Sequence, residues 1–174
     1  MVRTVPKRQH PVNRGEADSG PPTAAERTSA GDALSGVAIR VIQLYGPIVA
    51  AGDELARPVG QSSARWQVLA GIEHGPTTVA HIARQLGLAR QSVQRVADLI
   101  VADGLAVYED NPAHRRAKLI WITPAGTDAL AAIQAAQRSW ANELGKEVGE
   151  AGLRQAAQTL DTLLAALRSR SKRR

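Results

Sequence analysis

The feature that most constrains the fold of this chain is the unbroken stretch from His81 to Thr123, HIARQLGLARQSVQRVADLIVADGLAVYEDNPAHRRAKLIWIT. Its patterns predict a helix, a tight turn at Gly87, a second helix, a strand, a polar loop with paired arginines and a second strand. This order is that of a winged helix-turn-helix. We therefore predict a mainly α fold with a small β-hairpin wing.

The second of these helices, predicted over residues 89–102, has two opposite faces. At 100° per residue, Val93, Val96, Ala97 and Ile100 fall on one side and polar residues on the other. Amide and guanidinium groups on the polar side can bind base edges in the major groove of DNA. The base-reading residues are predicted to be Arg90, Gln91, Gln94 and Arg95. The residues predicted to contact phosphate are Arg84 and Ser92.

The wing is predicted over residues 110–118, between strands at Leu105–Glu109 and Ala117–Ile122. Its tip carries Arg115 and Arg116, with His114 before them and Lys118 behind. A guanidinium group on a thin hairpin suits the minor groove next to the recognition helix. Either element alone would pass for a solvated polar surface, but the two together favour a sequence-specific DNA-binding regulator.

The flanking segments 34–57 and 124–168 predict long helices around a winged helix at 62–123. Apolar residues from Leu34 onward cover most of the first helix, although Gly46-Pro47 should kink or interrupt it. A regular leucine stripe runs from Leu153 to Leu167. These faces could close a monomeric core, but their extent favours dimerisation helices in a two-fold homodimer, and hence a pseudo-palindromic DNA operator.

Composition narrows the class of protein further. The chain has 174 residues and no cysteine, which excludes disulfides, thiolate metal sites and cysteine-based redox sensing. The net charge is +6. Most of the excess positive charge lies in a basic tail at 169–174 and in the arginine just before it. Residues 1–32 are predicted to form a disordered basic tail rich in Pro and Gly. No secretory signal and no apolar run of membrane-spanning length are expected, so we predict a cytoplasmic location.

The stretch from Trp66 to Gly126 resembles the MarR family of bacterial winged-helix regulators. The matching segments are RWQVLAGI at 65–72, VAHIARQLGLARQSVQRVADLIVADGL at 79–105 and NPAHRRAKLIWITPAG at 111–126. With the flanking helices, the resemblance covers residues 33–168. It implies a homodimeric regulator, expected here to be a repressor, that a small-molecule ligand releases from DNA.

The resemblance also implies a ligand cleft between the dimerisation helices and the winged helix. The aromatic residues that are candidates to line it are Tyr45, Trp66, Trp121 and Trp140. One departure from the family pattern is His114, since an acidic residue commonly precedes the wing arginines. We interpret His114 as an ordinary exposed residue; a looser wing, or one that responds to pH through His114, is the alternative.

Two other classes of function remain as alternatives. One is a winged helix that binds only proteins, although no exposed aliphatic patch is expected on the recognition face. The other is a metal-sensing regulator using Glu73, His74 and His81, for which no ligand spacing argues. No catalytic motif is present, so we expect neither an enzyme nor a cofactor.

Overall fold

A computed structural model describes residues 27–114, 116–171 and 173 of the chain. Six α-helices and three short strands lie within these residues. The helices are α1 Ser29–Ala56, α2 Ser63–Gly71, α3 Val79–Leu86, α4 Arg90–Ala102, α5 Pro124–Val148 and α6 Glu150–Ser171. The strands are β1 Thr77–Thr78, β2 Ala106–Glu109 and β3 Leu119–Ile122. This is the predicted mainly α fold with a winged helix-turn-helix.

Side-chain caps fix the starts of three helices. The hydroxyl of Ser62 accepts from the backbone N–H of Arg65 at 3.3 Å, and that of Thr78 accepts from His81 N–H at 3.2 Å. Thr123 caps α5 by accepting from the N–H of Gly126 at 3.1 Å. Each cap satisfies an N–H group that the first turn of a helix leaves unpaired. The sequence predicts a cap at Ser62 or Ser63, at Thr77 or Thr78, and at Thr123, and the structure has Ser62, Thr78 and Thr123.

The sheet has three antiparallel strands in the order β1-β3-β2. Strands β2 and β3 form the wing hairpin, with Tyr108 opposite Ile120. Strand β1 was not predicted; Thr77 pairs with Ile120 on the other edge of β3. This pairing anchors the start of α3 to the base of the wing.

An apolar cluster of the described residues joins the sheet to the helices. It is centred on fully buried residues of α2, α3, α4 and β3, among them Leu69, Ile82, Ile100 and Ile120. The members of this cluster on α4 are Val93, Ala97 and Ile100, and Val96 packs against it, as the sequence predicted. On α2 the helical pattern predicts Trp66, Leu69 and Ala70 on the inner face; this is wrong for Ala70, which is exposed, because Val68 faces the core instead.

The start of α5 packs very closely against the start of the wing. A Cβ atom at Gly126 would overlap the carbonyl oxygen of Leu105 and lie 2.8 Å from Cγ1 of Ile122. The Thr123 hydroxyl adds a 2.8 Å hydrogen bond to the carbonyl oxygen of Gly104. Only glycine fits at position 126, so α5 is held directly against the hairpin.

Several predicted boundaries differ from the structure. The chain divides into two units, Met1–Val41 and Ile42–Arg174. Helix α1 begins at Ser29, so residues 29–32, which were assigned to the tail, are helical; residues 1–26 lie outside the described residues. It also runs through Pro47 without interruption. At the other end α6 extends to Ser171, so residues 169–171 are helical and not part of a tail.

Helix α1 is the one described helix that is long and apolar enough to cross a membrane, judged by length and composition alone. An 18-residue window within Ser29–Val59 has a mean hydropathy of 1.5, and none of it is buried. The expectation that no segment reaches this length was therefore wrong. One such helix is weak support for a membrane span, since an exposed apolar helix serves protein contacts equally well.

Candidate nucleic-acid interface

The predicted base-reading side chains lie together on the outer face of α4. Arg90, Gln91 and Arg95 are exposed and Gln94 is half-buried, and all four line one open concavity. The opposite face of the helix is buried in the core, so this orientation is fixed. The helix thus presents two guanidinium groups and two amides outward in the arrangement that the sequence predicted.

The start of α4 leaves its first backbone N–H groups without a side-chain cap. The preceding residue, Ala89, is extended and offers no side-chain acceptor. Uncapped N–H groups at a helix N-terminus attract anions, and phosphate oxygens of a nucleic acid are suitable acceptors. Ser92, half-buried in the first turn, lies close to these groups, whereas Arg84 is exposed on α3 and lines neither this concavity nor the cleft described below.

Gln94 is held by a three-membered hydrogen-bond cluster that the sequence did not reveal. Its Nε2 donates to Oδ1 of Asp98 and to the hydroxyl of Tyr108, each at 2.8 Å. The Tyr108 hydroxyl in turn donates to the same Asp98 oxygen at 2.8 Å. The cluster joins α4 to β2 and fixes the amide plane of Gln94.

The ionisation of Tyr108 reflects this environment. Burial, the hydrogen bond to Asp98 and the Asp98 charge raise the pKa of Tyr108 to about 12 from its ordinary value of 10.0, against a smaller lowering effect of Gln94. The phenol therefore keeps its proton at neutral pH and can donate it to Asp98.

The wing loop folds through tight local turns. The side chain of Asn111 accepts from the N–H of Ala113 at 3.0 Å, and the N–H of His114 donates to the Asn111 carbonyl oxygen at 3.1 Å. His114, Arg116 and Lys118 are all exposed. Arg115 lies outside the described residues.

A cleft of about 190 Å³ connects the wing to the recognition helix. It is formed between the start of α3, the outer face of α4 and the wing. Its polar lining residues are Thr78, Arg90, Gln94, Tyr108, Arg116 and Lys118. The recognition helix and the wing, which were predicted separately to contact DNA, thus line the same cleft, and both contribute cationic side chains to it.

An ion pair that the sequence analysis missed fixes the far end of α4. Nη2 of Arg65 on α2 lies 2.5 Å from Oδ2 of Asp103, the residue that ends α4. The Arg65 side chain is only 18% exposed, so the pair is better shielded from water than an ordinary surface pair. Its partners are 38 positions apart, and no local pattern signals them.

The four aromatic residues expected at a ligand cleft do not meet in one cavity. Trp66 lines an apolar cleft of about 460 Å³ between α1, α2 and α3. Tyr45 is 69% exposed on α1, Trp121 is exposed on β3 and Trp140 is half-buried on α5. Of the four, Trp66 is the residue that lies in a cleft adjoining the helix-turn-helix.

Glu73, His74 and His81, the residues considered for a metal site, do not form a cluster together. Both carboxylate oxygens of Glu73 accept from the amide of Gln134, at 3.1 and 3.0 Å. Nε2 of His74 lies 4.0 Å from Glu73, and His81 is exposed on α3. Within residues 27–114, 116–171 and 173, no three His, Asp or Glu side chains cluster closely enough to hold a metal ion.

Comparison with known proteins agrees with this geometry. The family model described as MarR family matches residues 60–117, from the end of the first connection to the wing. Uncharacterized protein Rv2011c of Mycobacterium tuberculosis is 34% identical over 138 residues, which is 79% of this chain and 96% of that protein.

Two solved structures share the fold. The M. tuberculosis transcriptional regulator MOSR, solved in complex with DNA, aligns with a TM-score of 0.63 and 24% identity over 75% of this chain and 97% of its own. CouR from Rhodococcus jostii, solved bound to p-coumaroyl-CoA, aligns with a TM-score of 0.65 and 19% identity over 73% and 90%.

The fold formed by the recognition helix, the wing and the flanking helices therefore agrees with that of the two solved structures. MOSR is named as a transcriptional regulator. The chain belongs to the MarR family of winged-helix transcription regulators.

Proposed function

We propose that this protein binds specific DNA sequences with α4 in the major groove and the wing in the adjacent minor groove. The observation that carries the proposal is the outer face of α4, where Arg90, Gln91 and Arg95 are exposed together while the inner face is locked into the core. Arg pairs bidentately with guanine, which makes Arg90 and Arg95 the main sources of sequence preference. Lys118 and the wing arginines Arg115 and Arg116 supply sequence-independent attraction.

The functional unit is a homodimer formed through the terminal helices. No residue of α6 is buried in the single chain, although Leu153, Leu160, Leu164 and Leu167 repeat along it at amphipathic spacing. On α1, the residues from Ile42 to Ile48 include four large apolar side chains that are more than half exposed. Surfaces of this extent are rare on soluble monomers and typical of obligate dimers. The same contact removes the apolar surface of α1 from water and fits a cytoplasmic protein.

Two-fold symmetry determines the form of the DNA site. Two recognition helices related by a dyad read a pseudo-palindromic operator whose half-site centres lie about ten base pairs apart. A dimer across such a site excludes other proteins from that DNA, and so we assign it the role of a repressor.

The apolar cleft beside Trp66 is the candidate site for a releasing ligand. Its walls include Ile48 of α1 and Ile82 and Leu86 of α3, so an occupant would contact both the dimerisation helix and the helix-turn-helix. The volume of about 460 Å³ lies in the usual range for small-molecule sites. Among the described residues, no charged side chain lines the cleft, which favours an uncharged aromatic ligand over an anion.

The DNA-binding proposal is tested by fluorescence anisotropy with DNA from upstream of the protein's own gene, against scrambled DNA of the same length. Specific binding of wild type, weakened by Arg95→Ala but not by Arg138→Ala on α5, supports it. Equal affinity for both DNAs would count against sequence-specific recognition at that site.

The ligand is tested with p-cresol as a neutral probe and salicylate as its anionic counterpart. p-Cresol is expected to quench Trp66 fluorescence and weaken DNA binding more than salicylate, and Trp66→Phe serves as the control.

A further inference from the structure

The amide of Gln94 is oriented by its neighbours before any DNA arrives. Its Nε2 atom carries two protons, and it makes two hydrogen bonds, one to Asp98 and one to Tyr108. Among the described residues, its Oε1 atom accepts no hydrogen bond. The donor end of the side chain is therefore engaged and the acceptor end is available.

Which group donates and which accepts is fixed in this cluster, because only one arrangement gives every donor an acceptor. The Asp98 carboxylate can only accept, so it takes protons from both Gln94 and Tyr108. The Tyr108 hydroxyl gives its proton to Asp98 and so accepts from Gln94. Turning the amide over would bring Oε1 against the Asp98 carboxylate and the Tyr108 oxygen, which are both acceptors in this arrangement.

We propose that Asp98 and Tyr108 are positioning residues that make Gln94 an acceptor-only reader of the major groove. This inference rests on the proposed function, because it requires α4 to lie in that groove. A free glutamine binds adenine bidentately by accepting from N6 and donating to N7. Gln94 has no proton left for N7, and so it accepts from an exocyclic amino group.

The base preference follows directly. In the major groove, adenine N6 and cytosine N4 are donors, whereas guanine and thymine present acceptors at the corresponding positions. Gln94, held in this orientation by Asp98 and Tyr108, selects A or C on the contacted strand. Guanine and thymine would face an unpaired acceptor there.

The elevated pKa of Tyr108 is consistent with this arrangement. Because the phenol stays protonated across the physiological range, the cluster keeps its direction at the pH at which DNA binding takes place. Asp98 lies on the same helix as Gln94, four positions away. Without Tyr108, the two side chains could therefore rotate together. Tyr108 comes from β2, 14 positions away from Gln94, and so fixes the amide relative to the wing.

The test is a thermodynamic cycle on the operator obtained by selection from random DNA. Affinities are measured for all four base pairs at each position with wild type, Tyr108→Phe, Gln94→Ala and the double variant. The matched control is Thr162→Ala, which removes an exposed side-chain hydroxyl from α6, on the side of that helix opposite the leucine stripe. For wild type we expect A or C over G or T by about tenfold at one position of each half-site.

The positioning role predicts a specific pattern of coupling. Tyr108→Phe should reduce that preference by about fivefold while leaving the affinity for random DNA unchanged. In the Gln94→Ala background the same substitution should change nothing, because the residue through which it acts is gone. Asp98→Asn should likewise relax the preference only when Gln94 is present.

Three results of this experiment would contradict the proposal, and each identifies the part that is wrong. An equal effect of Tyr108→Phe with and without Gln94 would show that Tyr108 acts on DNA or on the fold directly, and would overturn the positioning role. An unchanged preference in Tyr108→Phe, with wild type still specific, would overturn it as well. If wild type itself selects no sequence, the proposed function fails and the groove-reading role of Gln94 fails with it.

Discussion

Helices α4 and α6 carry similar patterns and have different environments. Both repeat apolar residues at steps of three and four, yet α4 buries Val93, Ala97 and Ile100 whereas α6, with 22 residues, buries none. An amphipathic pattern predicts that a face will be covered but does not say what covers it. For α4 the cover is the chain's own core, and for α6 we assign it to a second copy. Stability of the fold and assembly of the dimer should therefore respond to different substitutions.

The largest effect on the fold is expected from Ile100→Ala on the inner face of α4. Ile100 is fully buried, and removing its side chain should lower the free energy of unfolding by about 2–5 kcal/mol. The matched substitution Leu164→Ala on α6 removes a side chain that is 49% exposed. Urea denaturation at two protein concentrations separates the two: Ile100→Ala should destabilise the protein at both, and Leu164→Ala mainly where the dimer is populated. If both substitutions lowered the free energy of unfolding equally at low protein concentration, the proposed difference between α4 and α6 would be contradicted.

The next largest effect is expected on assembly. The double substitution Leu160→Asp with Leu164→Asp places two charges on the exposed apolar stripe of α6 and should convert the dimer to a monomer at micromolar concentration. Thr162→Asp adds a charge on the opposite side of the same helix and should leave the dimer intact. Light scattering measures both. A wild-type monomer, or a dimer that survives the double substitution, would remove α6 from the interface.

A moderate effect is expected on DNA recognition. Arg95→Ala should cost about 1–3 kcal/mol of specific binding free energy and relax the base preference at one position. Arg116→Ala, in the wing, should weaken binding evenly across sequences and reduce the salt dependence by about one counterion. Competition assays at several salt concentrations measure both quantities. The assignment of reading to α4 and of attraction to the wing would be reversed if Arg116→Ala changed base preference and Arg95→Ala did not.

The smallest effect concerns the titration of Tyr108. In a Tyr45→Phe background one tyrosine remains, and its absorbance change should give a pKa of about 12. Asp98→Asn should lower that pKa towards 10.0, because the charge and the charged acceptor are removed. Since the folded-state pKa is raised, the contribution of the cluster to stability is complete below pH 10.0 and declines as the pH rises towards about 12. An unshifted titration would mean that the cluster does not form in solution.

The parts of the molecule that sequence could predict are those fixed by local rules. The caps at Ser62, Thr78 and Thr123 are short-range hydrogen bonds, and the two faces of α4 follow from helical periodicity. The wing followed from a strand, a polar turn and a second strand in sequence. The order of these elements followed from the same local patterns, and comparison with known proteins confirms the winged-helix fold.

The parts that sequence could not predict depend on contacts between distant positions. Thr77 forms a strand only because Ile120 is beside it, and the Arg65–Asp103 pair joins positions 38 apart. The position of Gln94 on the helix predicted that its amide reads bases. In the structure, however, its amide nitrogen already donates a hydrogen bond to Tyr108 of β2. Trp66 and Tyr45 were grouped by chemistry, and the fold places only Trp66 in the cleft.

The central claim is that the outer face of α4 reads DNA sequence in a two-fold dimer. Selection from random double-stranded DNA, with wild type and Arg95→Ala run side by side, tests it most directly. Wild type should enrich a pseudo-palindrome with half-site centres about ten base pairs apart, and Arg95→Ala should lose preference at one symmetric pair of positions. No enriched motif, or the same motif enriched equally by both proteins, would contradict the claim.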